Sequence, residues 1–177
     1  MKTDTAHSRL REARELGHEA RVRDHDHAAL KLWLRLLTCT TQIEDEVRRR
    51  LRVRFNVSLA RFDYLAQLYR HGGLKMGDLS RYLMVTGGNV TGLTDELERE
   101  GLVAREVNEN DRRAYIVRLT PLGRTTFEGM AKQHEQWIVD LFDGLEPVAV
   151  QRLYTHLGEL RVRLVMHNGA ERPGGGR

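Results

Sequence analysis

Cysteine is almost missing from this chain. Cys39 is the single one in 177 residues, so no disulfide within the chain can hold it together. Aromatic residues are also scarce, at 6% of positions, and proline occurs only three times. A core must therefore come mainly from Leu, Val and Ala, a composition that favours helices. No run approaches the ~18 apolar residues a membrane span needs. The first ten residues carry no apolar block of the kind a secretory leader has. The expectation is a cytoplasmic protein without a membrane partner. Catalytic constellations are missing as well: no Ser/His/Asp set, paired carboxylates or Gly-rich phosphate loop stands out. No catalytic residue, no cofactor and no enzyme activity are expected.

What is present is a globular composition, 40% hydrophobic and 31% charged, with a net charge of +4. The charge alone is compatible with a nucleic-acid partner and does not prove one. Its distribution says more. From Leu59 to Leu119 nine basic residues face nine acidic ones, so any basic surface in that span must come from placement rather than from number. The densest basic run lies just upstream, at Arg48, Arg49, Arg50, Arg52 and Arg54. Phosphate contact, an anionic ligand, or a solvated helix end near its negative dipole would each suit that run.

Periodicity divides the chain. Residues 1–24 alternate charges without a wide apolar stripe and read as a flexible arm, with at most a transient helix from Leu10 to Glu19. Residues 25–57 carry Leu30, Trp33, Leu34, Leu37, Cys39, Ile43, Val47 and Leu51 at spacings of mostly three and four. That predicts one long amphipathic helix, too one-sided to fold alone. Cys39 in it reads most simply as a buried small hydrophobe; a redox-sensing thiol or an intermolecular disulfide is the alternative.

Within 58–120, Ser58 is a plausible N-cap for a helix over Leu59–His71, with Phe62, Leu65, Leu68 and Tyr69 inward and Gly72 as its stop. A short helix over Lys75–Leu83 and a further one over Gly87–Glu100 follow. The period then drops to two: residues 102–107 and 114–119 predict a two-stranded hairpin with a charged tip. Thr120-Pro121 opens another helix, ending near Phe142. A last helix covers about Val148 to Met166 within a C-terminal helical segment, 121–167, and 168–177 is a Gly/Pro tail expected to be disordered. The fold class expected is mainly α (α+β): a winged helix–turn–helix with long helices on both sides, suited to dimerisation.

The stretch from Leu79 to Gly123 carries a more specific signal. It contains Val90-Thr91, then Leu97-Glu98-Arg99-Glu100-Gly101-Leu102-Val103-Ala104-Arg105, then Asp111-Arg112-Arg113, then Leu119-Thr120-Pro121-Leu122-Gly123. In order and spacing this resembles the multiple antibiotic resistance regulator (MarR) family. The resemblance implies a homodimeric, DNA-binding transcriptional regulator whose helix from Gly87 enters the major groove of a pseudo-palindromic double-stranded operator. The phrase Met84-Val85-Thr86-Gly87-Gly88-Asn89-Val90-Thr91-Gly92-Leu93 is similar to that of members controlling aromatic-acid catabolism, including those answering to hydroxycinnamoyl-CoA thioesters. An aromatic acid or aryl-CoA thioester is therefore the expected small-molecule effector, releasing a repressor from a catabolic or efflux operon. Under that likeness the arginine run would suit CoA phosphates.

Residues can be set against roles. On a helical wheel Val90, Leu93 and Leu97 share a core side, leaving Gly88, Thr91, Gly92, Asp95 and Arg99 on the opposite face. Thr91 offers a hydroxyl to a base edge or a methyl to thymine, and Asn89 suits adenine. Thr86 is placed to cap the helix or meet a phosphate beside the free backbone N–H groups. Gly87 and Gly92 depart from the longer side chains common in the family. Close backbone approach to DNA or tight packing on a neighbour would each account for them. Asp111, Arg112 and Arg113 form the wing tip, where an arginine suits a narrow minor groove; the plain alternative is a solvated turn salt bridge. Trp33, Leu37, Arg61, Phe62 and Tyr69 are effector-pocket candidates, with ordinary core or surface as the competing reading.

Three other responses stay open. Cys39 would serve a redox regulator. His18, His25 and His27 with Asp24 and Asp26 are metal-ligand types without converging spacing, so no metal site is expected. A winged helix used as a non-DNA interaction module would bind no duplex.

Overall fold

The computed structural model describes residues 28–83, 87–108 and 111–170. The arm over 1–24, the histidines His18, His25 and His27 with Asp24 and Asp26, Thr86 and most of the C-terminal tail lie outside those residues. Helices α1 (Ala28–Phe55) and α2 (Leu59–His71) are followed by a short strand β1 (Leu74–Lys75). Helices α3 (Met76–Leu83) and α4 (Gly87–Arg99) precede the hairpin β2 (Val103–Asn108) and β3 (Asp111–Leu119). Helices α5 (Pro121–Leu141) and α6 (Pro147–Ala170) complete the order. The chain divides into two compact units, 1–134 and 135–177, with the division falling inside α5.

Local signals account for the boundaries. α1 ends where Asn56 turns left-handed, φ 53°, and donates its N–H to the Arg52 carbonyl at 3.1 Å. Asparagine tolerates that region better than most residues. Ser58 then caps α2, its hydroxyl accepting the Arg61 N–H at 3.3 Å. Gly72 closes α2 at φ 69°, donating to the Leu68 carbonyl at 2.9 Å. A Cβ would resist that conformation.

The expected two-stranded ribbon is a three-stranded antiparallel sheet of order β1-β3-β2. Leu74 pairs with Val117 and Lys75 with Ile116. Two residues cannot display a period of two, so β1 was invisible to patterning, and Lys75, expected in a helix, belongs to it. The hairpin runs in register from Val103↔Leu119 to Val107↔Tyr115, with an irregularity before Asn108↔Asp111.

The core of the first unit gathers Tyr64, Leu65 and Leu68 of α2 with Leu79 of α3, Val90, Thr94 and Leu97 of α4, and Val103 and Val117 of the sheet. α1 contributes Val47 and Leu51, both from its C-terminal half. Further toward its start α1 is poorly covered. Cys39 is accordingly exposed, against the expectation of burial. Tyr69, expected inward, is exposed, and so is Tyr82. Both lie at helix ends, where their rings rest on neighbours at the surface: Tyr69 on Phe127 and Tyr82 on His71.

Candidate nucleic-acid interface

The inward face of α4 is set by Val90, Thr94 and Leu97, with Leu93 half-buried. Thr94 is the unexpected member. Its hydroxyl donates to the Val90 carbonyl at 2.6 Å and meets the Tyr64 hydroxyl at 2.6 Å. Burial pushes the Tyr64 phenol up to about 12. A buried hydroxyl pair satisfied in this way costs little and fixes how α4 sits on α2.

With that face turned inward, Asn89, Thr91, Gly92, Asp95 and Arg99 are exposed together. Gly87 and Gly88 lie in the first turn of the same helix. A Cβ added at Gly92 would meet nothing within 4 Å, so packing on a neighbour does not explain this glycine.

Acid crowds the second half of the helix, and arginines from other elements answer it. Arg105 on β2 reaches Asp95 and Glu98, and Arg61 on α2 reaches Glu100 just past the helix end. Arg99 has no ion-pair partner among the described residues. Part of the charge balance counted in the sequence is thus pairing across elements, and Arg99 stands outside those pairs. Patterning missed Arg105, although two carboxylates three apart on α4 followed closely by an arginine on a strand were a usable signal.

Below α4, the hairpin is tied down by its exit. Thr120 donates its N–H to the Leu102 carbonyl at 3.0 Å and its hydroxyl to the Gly101 carbonyl at 2.6 Å. That hydroxyl also accepts the Gly123 N–H at 3.0 Å, capping α5. Gly123 is buried, and a Cβ there would collide with the Leu102 carbonyl oxygen. The Leu-Thr-Pro-Leu-Gly sequence thus has a steric reason. Arg118 of β3 pairs with Glu106 at 2.8 Å and donates to the Gly72 carbonyl at 2.6 Å. Asp111 opens β3, with Arg112 and Arg113 next in the same strand.

The five effector-pocket candidates do not form one site. Phe62 and Tyr69 join a ring cluster through Phe127, with centroids 5.5 and 5.0 Å away, and His134 lies 4.9 Å from Phe62. Arg124 covers the Tyr69 ring at 4.9 Å. Arg61 turns instead toward Glu100, with its Nε buried and without a hydrogen-bond partner among the described residues. Trp33 and Leu37 lie in the N-terminal half of α1, where Trp33 is 57% exposed.

A groove of about 1010 Å³ lies elsewhere, lined by none of the five. Arg48, Arg49 and Arg52 of α1 form one wall, and Asn89, Gly92 and Glu96 of α4 the facing one. Asp63, between them on α2, has its carboxyl pushed up by burial and by the Glu44 charge. Arg48 pairs with Asp45, whereas Arg49 and Arg50 both reach Glu46 and hold its carboxyl down at about 2. Among the described residues no group of side chains is arranged to hold a metal ion, and no helix is long and apolar enough to cross a membrane.

Comparison with known proteins places this architecture. Residues 57–115 match the MarR family. The HTH-type transcriptional regulator YfiV of Bacillus subtilis is 31% identical over 108 residues, which cover 61% of this chain and 68% of that protein. The transcriptional activatory protein BadR of Rhodopseudomonas palustris is 47% identical over 60 residues, 34% of each chain. Among solved structures, the transcriptional regulator BldR from Sulfolobus solfataricus superposes with a TM-score of 0.67 at 25% identity, covering 80% of this chain and 99% of that one. The MarR C80S mutant from E. coli shares the fold, with a TM-score of 0.66 at 24% identity, covering 71% of this chain and 93% of that one. With a winged helix–turn–helix, the matching motif segment and a relative spanned over two thirds of its length, this chain belongs to the MarR family of DNA-binding transcriptional regulators.

Proposed function

We propose that this regulator grips a pseudo-palindromic operator as a homodimer, one α4 per half-site in successive major grooves, and that a small organic anion releases it. The observation that carries the reading is the outward face of α4, where Thr91, Gly92 and Arg99 stand exposed opposite a fully buried Val90, Thr94 and Leu97. Thr91 and Asn89 read base edges, while Gly92, with Gly87 and Gly88, lets the helix backbone come close. Thr86 meets a phosphate at the helix start, and Arg99 a phosphate farther along. Asp111 holds Arg112 or Arg113 for the minor groove.

For the effector, the groove between α1 and α4 supports an aromatic acid or its CoA thioester. Its volume reaches the upper end of the ~300–1,000 Å³ common for small-molecule pockets. Three guanidiniums suit carboxylate or phosphate, and an occupant would touch Asn89 and Gly92, on the reading helix itself. Of the five candidates named from the sequence, only the ring cluster of Phe62 and Tyr69 offers an alternative place. The target is an aromatic-compound catabolic or efflux operon held repressed. The description of BadR as an activatory protein favours a second reading, in which the same contact activates.

A nuclease footprint on the DNA flanking its own gene, with aromatic acids and their CoA esters added, tests this. A protected palindrome with half-sites about one helical turn apart is expected, lost when the effector is present. Thr91→Ala should lose preference for that site while keeping general duplex affinity; Arg113→Ala should chiefly weaken affinity at A·T-rich flanks. No protected palindrome, or equal loss on every sequence from Thr91→Ala, would overturn the reading.

A further inference from the structure

Arg105 stands at the base of the wing, on β2, and its guanidinium spans two carboxylates of α4. One terminal nitrogen donates to Asp95 and the other to Glu98, while its backbone N–H donates to Glu98 Oε1 at 3.2 Å. Asp95 and Glu98 are three residues apart, hence neighbours on one helix face. The fork of a guanidinium matches such a pair where an ammonium would not. The Arg105 side chain is largely covered, at 22% exposure, whereas Asp95 remains 48% exposed.

Two consequences follow. Asp95 shares the outward face with Thr91 and Arg99, so without a partner its charge would face the phosphates of any duplex lying there. The bridge also joins the two elements that would read DNA, α4 and the hairpin, at the point where the chain passes from one to the other. Ion pairs this near the surface add little to folding. A charge turned toward a polyanion, by contrast, acts directly on binding.

We propose that Arg105 is a positioning residue of the DNA interface: it offsets the charge of Asp95 on the reading face, without touching DNA itself. This rests on the reading of α4 as the recognition helix.

The test uses the full-length protein with Arg105→Ala, Arg105→Lys, Asp95→Asn and the double variant Arg105→Ala/Asp95→Asn. Fluorescence anisotropy on the footprinted operator and on a scrambled duplex gives affinities; thermal melts report folding. Arg105→Ala should weaken operator binding roughly tenfold while moving the melting temperature little. Asp95→Asn in the Arg105→Ala background should recover most of that loss, and Arg105→Lys should recover only part, since it keeps the charge and loses the fork. Unchanged operator affinity in Arg105→Ala would overturn the proposal. So would a double variant no better than Arg105→Ala, the result expected of direct phosphate contact or of a merely structural role. Thr91→Ala separates the two levels. If it loses operator preference while Arg105→Ala binds normally, only this proposal fails; if both bind normally, the assignment of α4 fails with it.

Discussion

Gly92 is a costly choice inside a helix, about 1 kcal/mol worse than alanine, and no neighbour requires it. Gly92→Ala should therefore raise the stability of the free protein by about that amount, measured by urea denaturation, while weakening operator binding in the same anisotropy assay. A variant both more stable and equally tight on the operator would remove the close-approach explanation. His134 poses a different test. Burial beside Phe62 lowers its pKa from 6.5, so the folded state disfavours the imidazolium. Below pH 6.5 the unfolded chain binds the proton first, and stability falls as pH drops from there toward the lowered folded value. His134→Gln should flatten that part of a curve of denaturation midpoint against pH; an unchanged slope would contradict the burial argument. Which residues face inward was unevenly legible. Helical spacing exposed Thr91, Gly92, Asp95 and Arg99 correctly, but Thr94 was missed, because only the arrival of Tyr64 from another helix makes a threonine worth burying.

Elements were easier to read, because their ends are local chemistry. Ser58, Gly72 and Thr120-Pro121 mark boundaries by their own hydrogen bonds and dihedral preferences, and the structure uses all of them. Gly123 shows what the motif protects. Adding a methyl there drives it into the Leu102 carbonyl, so Gly123→Ala should cost about 1–3 kcal/mol, the usual range for overpacking. Thermal or urea unfolding would measure it, and a neutral outcome would mean that α5 slides on the hairpin base at no cost. What patterning missed was β1, whose two residues become a strand only because β3 offers them an edge. The arginine run divided likewise. Arg48, Arg49 and Arg50 satisfy acids one turn back on α1, yet Arg48, Arg49 and Arg52 also line the groove against α4, which no spacing along one helix reveals.

For the molecule as a whole, α6 raises the question of what completes it. None of its described residues is buried, and Val150, Leu153, Leu157 and Leu164 form an exposed stripe at helical spacing. A 24-residue helix with so little cover needs a partner surface, and the dimer proposed above supplies one. Leu153→Glu/Leu157→Glu should shift the protein from dimer to monomer in light scattering and lower operator affinity with it; an unchanged mass would place the dimer contact elsewhere. The helices and the hairpin, the winged helix–turn–helix and the family were determined by the sequence alone, since hydrophobic period, caps and motif spacing are properties of neighbours along the chain. Only the tertiary structure decided that Thr94 is core, that Cys39 is exposed, that a third strand joins the hairpin and that Arg105 holds the carboxylates of α4. Each of these depends on which distant residue arrives, and distance along the chain does not carry that information.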